Sequence, residues 1–258
     1  MKEIKCVRNN YRTTKKKTWK TQKNYYIVYE IGKVLINFFK RIFFFSSLLF
    51  SSCNNFKIEN NFSSIFELSI GNSQDDILGY ATSFKLKDDL CITNAHNVVF
   101  KNESNKYEPY KYIEGKIYNS NEKIIFEVDS FSYEDDYAKI SPIENSKSLF
   151  NNIKCLPYNL ANEYTIGEKC YCIGNLNNYG LSYNEGVISS KLKKIEYHEK
   201  ENYFIQTSIE ISKGLSGCPL FNSNNEVIGI MTFKLRDSSF EYIDGLSFAI
   251  PIVKIFEN

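Results

Sequence analysis

Residues 214–230 read GLSGCPLFNSNNEVIGI. Ser216 stands between Gly214 and Gly217, and the apolar run PLF, a polar NSNNE turn and the strand-like EVIGI follow. Glycine on either side of a serine lets the main chain take tight conformations and approach a ligand closely. The N–H groups of such a turn can converge on a developing negative charge. A lone G-x-S-G is also compatible with an ordinary turn, so its weight depends on what the rest of the chain supplies.

Serine nucleophilic chemistry needs a base to take the hydroxyl proton and a carboxylate to hold that base in the right tautomer. Working outward, residues 90–99 read LCITNAHNVV, an apolar strand that delivers His96 into a turn. Residues 133–140 read YEDDYAKI and supply Asp136, with Asp135 as the competing carboxylate. The chain has only 2 histidines. The other, His198, lies in KIEYHEKEN and reads as a solvated residue at a charged hairpin tip. The candidates fall in the order His, Asp, Ser, which is more specific than any one of them alone.

The surroundings of these segments read as strands. Tyr (19) and Phe (20) are abundant, and such residues together with Ile and Val suit a half-buried pleated surface. Strands are expected at 65–70, 77–86, 90–95, 111–118, 123–133 and 137–142. After a connecting stretch at 144–164, a second set is expected at 168–174, 183–196, 203–209, 218–222, 226–235 and 245–250. No long stretch keeps a helical period. Two groups of about six short strands suggest two packed barrels or a sandwich. A short C-terminal helix is expected through Val253 to Phe256.

The N-terminal third differs in kind. The first 24 residues cluster Lys15, Lys16, Lys17, Lys20 and Lys23 against one acid, Glu3. A solvated leader is the favoured reading, because the whole chain carries a net charge of only +2 and shows no nucleic-acid recognition motif. No nucleic-acid partner is therefore expected. Residues 34–53 read VLINFFKRIFFFSSLLFSSC, with Lys40 and Arg41 ahead of the apolar stretch Ile42 to Phe50, then small residues and Cys53. This describes a secretory signal, with an uncleaved anchor and an ordinary buried segment as alternatives. The ending FSSC is similar to a bacterial lipobox and makes Cys53 a lipidation candidate, although Phe50 departs from the aliphatic residue usual there. The expected organisation is a basic leader and signal or anchor over 1–53, a polar Asn-rich tether over 54–64, and one catalytic domain over 65–258. The 7 cysteines contain no CxxC pair, so neither a metal site nor a disulfide framework is expected.

The chain resembles the trypsin-like serine proteases, and more closely their HtrA/Deg branch. TNAHNVV, DYAKI and GLSGCPLFNSNNEVIGI carry the resemblance, supported in order by YCIGN, EGVISS, FIQTS and GLSFAIP, over about residues 75–252. The resemblance implies an all-β fold of two six-stranded antiparallel barrels and a serine endopeptidase acting on proteins or peptides through an acyl-enzyme, without cofactor or metal. It makes His96 the general base, Asp136 the orienting carboxylate and Ser216 the nucleophile, with the N–H groups of Gly214 and Ser216 as the oxyanion hole. It places Glu210, Thr232, Phe233 and Lys234 along the substrate-binding pocket, where Glu210 would favour a basic P1 residue if it faced inward. Export to the periplasm or cell surface with an N-terminal membrane tether is expected, with a possible place in protein quality control. No PDZ domain fits before the end at Asn258, and no segment signals an oligomeric state. Leu215 and Cys218 depart from the polar residue and glycine usual beside the serine. They motivate an alternative, a catalytically weak or inactive protease fold that binds partners.

Overall fold

The computed structural model describes residues 58–257 apart from 162, 199 and 237–241, together with the helical positions Lys33, Leu35 and Phe38. Apart from those three positions, the basic leader, the 34–53 segment read as a signal or anchor, and Cys53 lie outside the described residues. Among the described residues no helix is long and apolar enough to cross a membrane.

The described chain is mostly β with few helices. The first half is built from β1 (Ile65–Ser73), β2 (Asp76–Lys87), β3 (Leu90–Thr93), β4 (Val99–Lys101), β5 (Tyr107–Pro109), β6 (Tyr112–Ile117), β7 (Lys123–Ser132) and β8 (Tyr137–Pro142). Six of these close into a barrel in the order β1-β2-β3-β8-β7-β6, and β4-β5 form a separate ribbon. The second half comprises β9 (Lys169–Asn175), β10 (Leu181–Tyr197), β11 (Lys200–Thr207), β12 (Pro219–Phe221), β13 (Val227–Arg236) and β14 (Tyr242–Pro251). Their hydrogen-bonded order is β10-β11-β14-β13-β12-β9, and this ring closes as well.

Alternation explains the cores. Along β1 the side chains of Phe66, Leu68 and Ile70 recur every second position and point into the first barrel with Phe126 and Ile140. Phe66 meets Phe126 edge-on with ring centres 5.4 Å apart. Cys170, Cys172, Ile205, Leu220 and Met231 fill a second core. A third joins the halves: Ile65, Phe84 and Ile92 from the first barrel pack with Ile173, Phe221 and Ile250 from the second. Each such side chain contributes about 1.5–3 kcal/mol on burial, so the two halves are held as one body.

Three local readings change. The connecting stretch contains the helix α2 (Glu144–Asn151), too short for its period to show in sequence. Its last turn is held by Lys85, a lysine only 2% exposed, whose Nζ donates to the carbonyls of Phe150 and Ile153 at 3.0 and 2.9 Å. A cation at a helix C-terminus is favourably placed. Within the stretch read as a polar tether, residues 58–62 are helical. Ile58 and Phe62 pack on the shared core, and Asn61 donates to the Tyr171 hydroxyl at 3.0 Å. The C-terminal helix is a 3-10 turn at Ile252–Ile255, begun one residue earlier than expected because Pro251 ends the strand.

Candidate active site

His96 sits in the one-turn helix α1 (Ala95–Val98) directly after β3. Asn94 precedes it in the N-cap position but makes no cap bond with its side chain. Its amide instead donates to the main-chain carbonyl of Asp136 at 2.9 Å, tying the histidine turn to the aspartate turn. Asp136 precedes β8 with φ +54, a left-handed conformation that aspartate tolerates better than most residues. It is 0% exposed.

Four donors converge on the Asp136 carboxylate. The His96 N–H donates to Oδ1 at 3.1 Å, and His96 Nδ1 lies 2.9 Å from both oxygens. The Thr232 hydroxyl reaches Oδ2 at 2.5 Å and the Tyr197 hydroxyl reaches it at 3.1 Å. Asp135 faces elsewhere, accepting from Ser132 at 3.0 Å and Lys200 at 3.1 Å. Burial alone would depress the His96 imidazolium, but the Asp136 charge and hydrogen bond outweigh it and raise the pKa above the ordinary value. Burial likewise pushes the Asp136 carboxyl up. The His96 charge and the bonds from His96 and Thr232 pull it below its usual range. An ionised aspartate holding Nδ1–H leaves Nε2 free to accept a proton.

Ser216 lies in the loop between β11 and β12. Gly214 and Gly217 have φ +87 and +86, the region that L side chains avoid. A Cβ on Gly214 would fall 2.0 Å from the Asn175 carbonyl, and one on Gly217 would fall 2.2 Å from the Thr82 carbonyl. The Asn177 N–H donates to the Lys213 carbonyl at 2.8 Å. In a trans peptide this turns the Gly214 N–H the opposite way. Among the described residues the N–H groups of Gly214 and Ser216 have no acceptor in the protein. The Ser216 hydroxyl donates to the Thr232 carbonyl at 3.2 Å, and no hydrogen bond joins it to His96 among the described residues.

A polar seam ties the loop to the first barrel. The Ser216 carbonyl accepts from the Thr82 N–H at 3.1 Å and from the Asn97 amide at 3.1 Å. The Thr82 hydroxyl donates to the Gly214 carbonyl at 2.7 Å and accepts from the Asn175 N–H at 2.9 Å. Beside the loop, Leu78, Gly79, Tyr80, Asn97, Asn177, Lys213 and Gly214 line a cleft of about 530 Å³ that includes Ser216. Leu78 and Tyr80 present exposed apolar surface to it.

The other residues singled out in sequence take distinct places. Thr232, read as pocket lining, turns its hydroxyl onto Asp136 and its carbonyl onto Ser216. Phe233 stacks on Tyr197 with ring centres 4.5 Å apart. Glu210 accepts from Lys234 Nζ at 2.5 Å and from the Gly245 N–H at 3.2 Å. Its carboxylate is thus compensated within the protein. Cys218 is buried beside Cys172, and burial pushes its thiol well up, which makes it inert rather than nucleophilic. His198 is a correction: it is half-buried, not solvated. Its ring lies 4.3 Å from Tyr133 and 4.0 Å from Tyr197, centre to centre, because the hairpin tip folds onto the aspartate turn. Sequence reading missed Thr82, Asn94, Asn97 and Tyr197. Asn94 and Asn97 flank His96 within the quoted motif, whereas Thr82 and Tyr197 carry no local signal.

A buried carboxylate paired with an imidazole thus stands beside a glycine-flanked serine loop where the two β halves meet. The chain belongs to the trypsin-like peptidase domain family, whose profile matches residues 81–230. It is 36% identical over 104 residues to the serine endoprotease DegS of Haemophilus influenzae, covering 40% of this chain and 30% of that protein. Over 90 residues it is 40% identical to a probable periplasmic DegP-like serine endoprotease of Pseudomonas putida, covering 34% of this chain and 18% of that one. The matched stretches thus span less than a third of these relatives. The fold resembles the serine endoprotease of Yersinia pestis with a TM-score of 0.59 and 22% identity, covering 78% of this chain and 62% of that chain.

Proposed function

We propose that the protein is a serine endopeptidase in which Ser216 attacks the scissile carbonyl, His96 takes its proton and Asp136 holds the imidazole in the Nδ1–H tautomer. The observation that carries this reading is the buried Asp136 carboxylate 2.9 Å from His96 Nδ1, in a site where, among the described residues, the N–H groups of Gly214 and Ser216 have no protein acceptor. These two N–H groups are the proposed oxyanion hole. They act on charge that develops only in the transition state. His96 then returns its proton to the leaving amine, and water hydrolyses the acyl-enzyme by the same base. Glu210, Thr232, Phe233 and Lys234 border the substrate strand. With Glu210 compensated by Lys234, a preference for basic P1 residues is not expected.

The wider assignment is proposed on the same footing. Homology to proteases named as periplasmic supports export, the 34–53 segment supports a signal or anchor, and Cys53 supplies a lipidation point. Such a protein would act on exported polypeptides, with quality control as its setting. The proposed catalytic domain covers 65–258, with 58–64 packed against it.

One observation favours a second reading, a catalytically weak resting state: the Ser216 hydroxyl bonds the Thr232 carbonyl instead of His96. Both readings are tested by treating the full chain and its Ser216→Ala variant with a fluorophosphonate and with labelled casein. Stoichiometric labelling and turnover lost in the variant support the endopeptidase. Labelling that persists in the variant overturns the assignment of Ser216. A chain that neither labels nor cleaves favours the second reading.

A further inference from the structure

The β10–β11 hairpin reaches from the second barrel across to the turn that carries Asp136, and its contacts there are side-chain specific. Asn202 donates to the Glu134 carbonyl at 2.8 Å. Lys200 reaches Asp135 at 3.1 Å, and Lys254 flanks both, at 2.8 Å from Asn202 Oδ1 and 3.5 Å from Asp135. Each residue of the turn 134–136 is thus gripped from outside its own barrel. At the centre of this grip is Tyr197, whose hydroxyl lies 3.1 Å from Asp136 Oδ2.

We propose that Tyr197 is a positioning residue of the catalytic centre, donating its hydroxyl proton to Asp136 Oδ2 and so fixing the plane of the carboxylate that orients His96. This rests on the triad reading given above. The phenol lies among the groups that hold this carboxylate, beside the Thr232 hydroxyl as well as Asp136. Its ring is stacked on Phe233 at an interplanar angle of 9° and meets Phe204 edge-on at 5.7 Å. The ring position is therefore set by packing, and the hydroxyl is carried to the carboxylate by a rigid aromatic stem. Burial and the neighbouring Asp136 charge hold the phenol protonated, so it is a donor at every working pH. The carboxylate has two oxygens and four donors, two of them hydroxyls sharing Oδ2 with the imidazole. Removing one frees the carboxylate to rotate about its Cβ–Cγ bond, and a misplaced imidazole transfers the proton less well. It also leaves more charge on the oxygens facing His96, which favours the imidazolium. The other titratable groups facing this cluster are Tyr133 and His198 on the hairpin side and Asp135 with its two lysines.

The test is Tyr197→Phe, which keeps the ring and deletes only the hydroxyl, beside Tyr197→Leu, which deletes both. The rate of fluorophosphonate labelling of the full chain is measured against pH, and His96 is titrated by proton NMR. The proposal expects the Phe variant to label about tenfold more slowly at the plateau, as for one hydrogen bond to a charged group. It also expects the His96 titration to move to higher pH in a variant that still folds cooperatively in a thermal melt. A Phe variant with an unaltered rate profile and an unaltered His96 titration overturns it, even if the Leu variant unfolds, because packing alone then explains Tyr197. The triad reading fails separately, by labelling that survives Ser216→Ala. If the wild-type chain does not label at all, the NMR titration still decides the contact.

Discussion

The two sides of the site are built to different degrees of commitment. On the first-barrel side, His96 and Asp136 are locked: the carboxylate is fully buried and holds four donors. On the second-barrel side, the main chain of the Ser216 loop is fixed by bonds to Thr82, Asn97 and Asn177, but the hydroxyl points at Thr232. On the proposed reading, the base and the two N–H donors are held in place by the fold, while the proposed nucleophile spends its hydroxyl on a main-chain carbonyl. A rotamer change that frees the hydroxyl costs little beside a catalytic barrier. The departures Leu215 and Cys218 fall on the buried side of the loop, in the apolar core, where they shape its support and not its donors.

Mutations on either side sharpen this contrast. The largest effect is expected for Ser216→Ala, with casein turnover falling about 10⁶-fold. Next is Asp136→Asn, with a loss of about 10⁴-fold in kcat. Because the carboxylate raises the His96 pKa, its removal moves the acid limb of kcat/KM to lower pH, read from a pH–rate profile. The same pair governs stability with a definite sign. Asp136, depressed in the fold, contributes above the unfolded carboxyl range, and its share is lost as pH falls through the folded value. His96, raised in the fold, contributes fully below the unfolded histidine value, and its share is lost as pH climbs through the folded one. The difference in Tm between wild type and Asp136→Asn should therefore be greatest between those two folded values.

On the loop side, Gly214→Ala forces the peptide away from Asn175 and removes an oxyanion donor. A fall of about 10²–10³ in kcat is expected, with a far smaller change in KM by steady-state kinetics. If both instead change together, the loop has lost its shape and not one donor. The smallest effect is expected for Glu210→Gln. Its side chain is 58% exposed, and stability should change by less than about 1 kcal/mol in urea melts. A P1 peptide panel should show no selective change in cleavage after Lys or Arg. A selective loss of cleavage after Lys or Arg would restore Glu210 as the pocket floor.

How much of this could be read from sequence follows from the range of the interactions. Strands with alternating apolar residues, such as β1 and β7, are legible because the period-2 pattern is local. His96, Asp136 and Ser216 stand out because each carries its own backbone context within a few residues. The Glu144–Asn151 helix is hidden because its two turns are too short for a period, and it is held by Lys85 from β2. Thr82 and Tyr197 are hidden for a deeper reason. Each acts through partners 132 and 61 residues away, and nothing in YATS or IEYH marks the partner. Thr232 is reachable in sequence through its strand, but only the fold shows that its hydroxyl bonds the Asp136 carboxylate.

The seam of Thr82 and Asn97 against the carbonyls of Gly214 and Ser216 has a consequence for the order in which the chain becomes dangerous. The loop takes its shape from groups of the first barrel, so a polypeptide whose second half is still open has no finished nucleophile turn. On the proposed reading of Ser216 as nucleophile, cleaving power therefore requires both barrels to be in place.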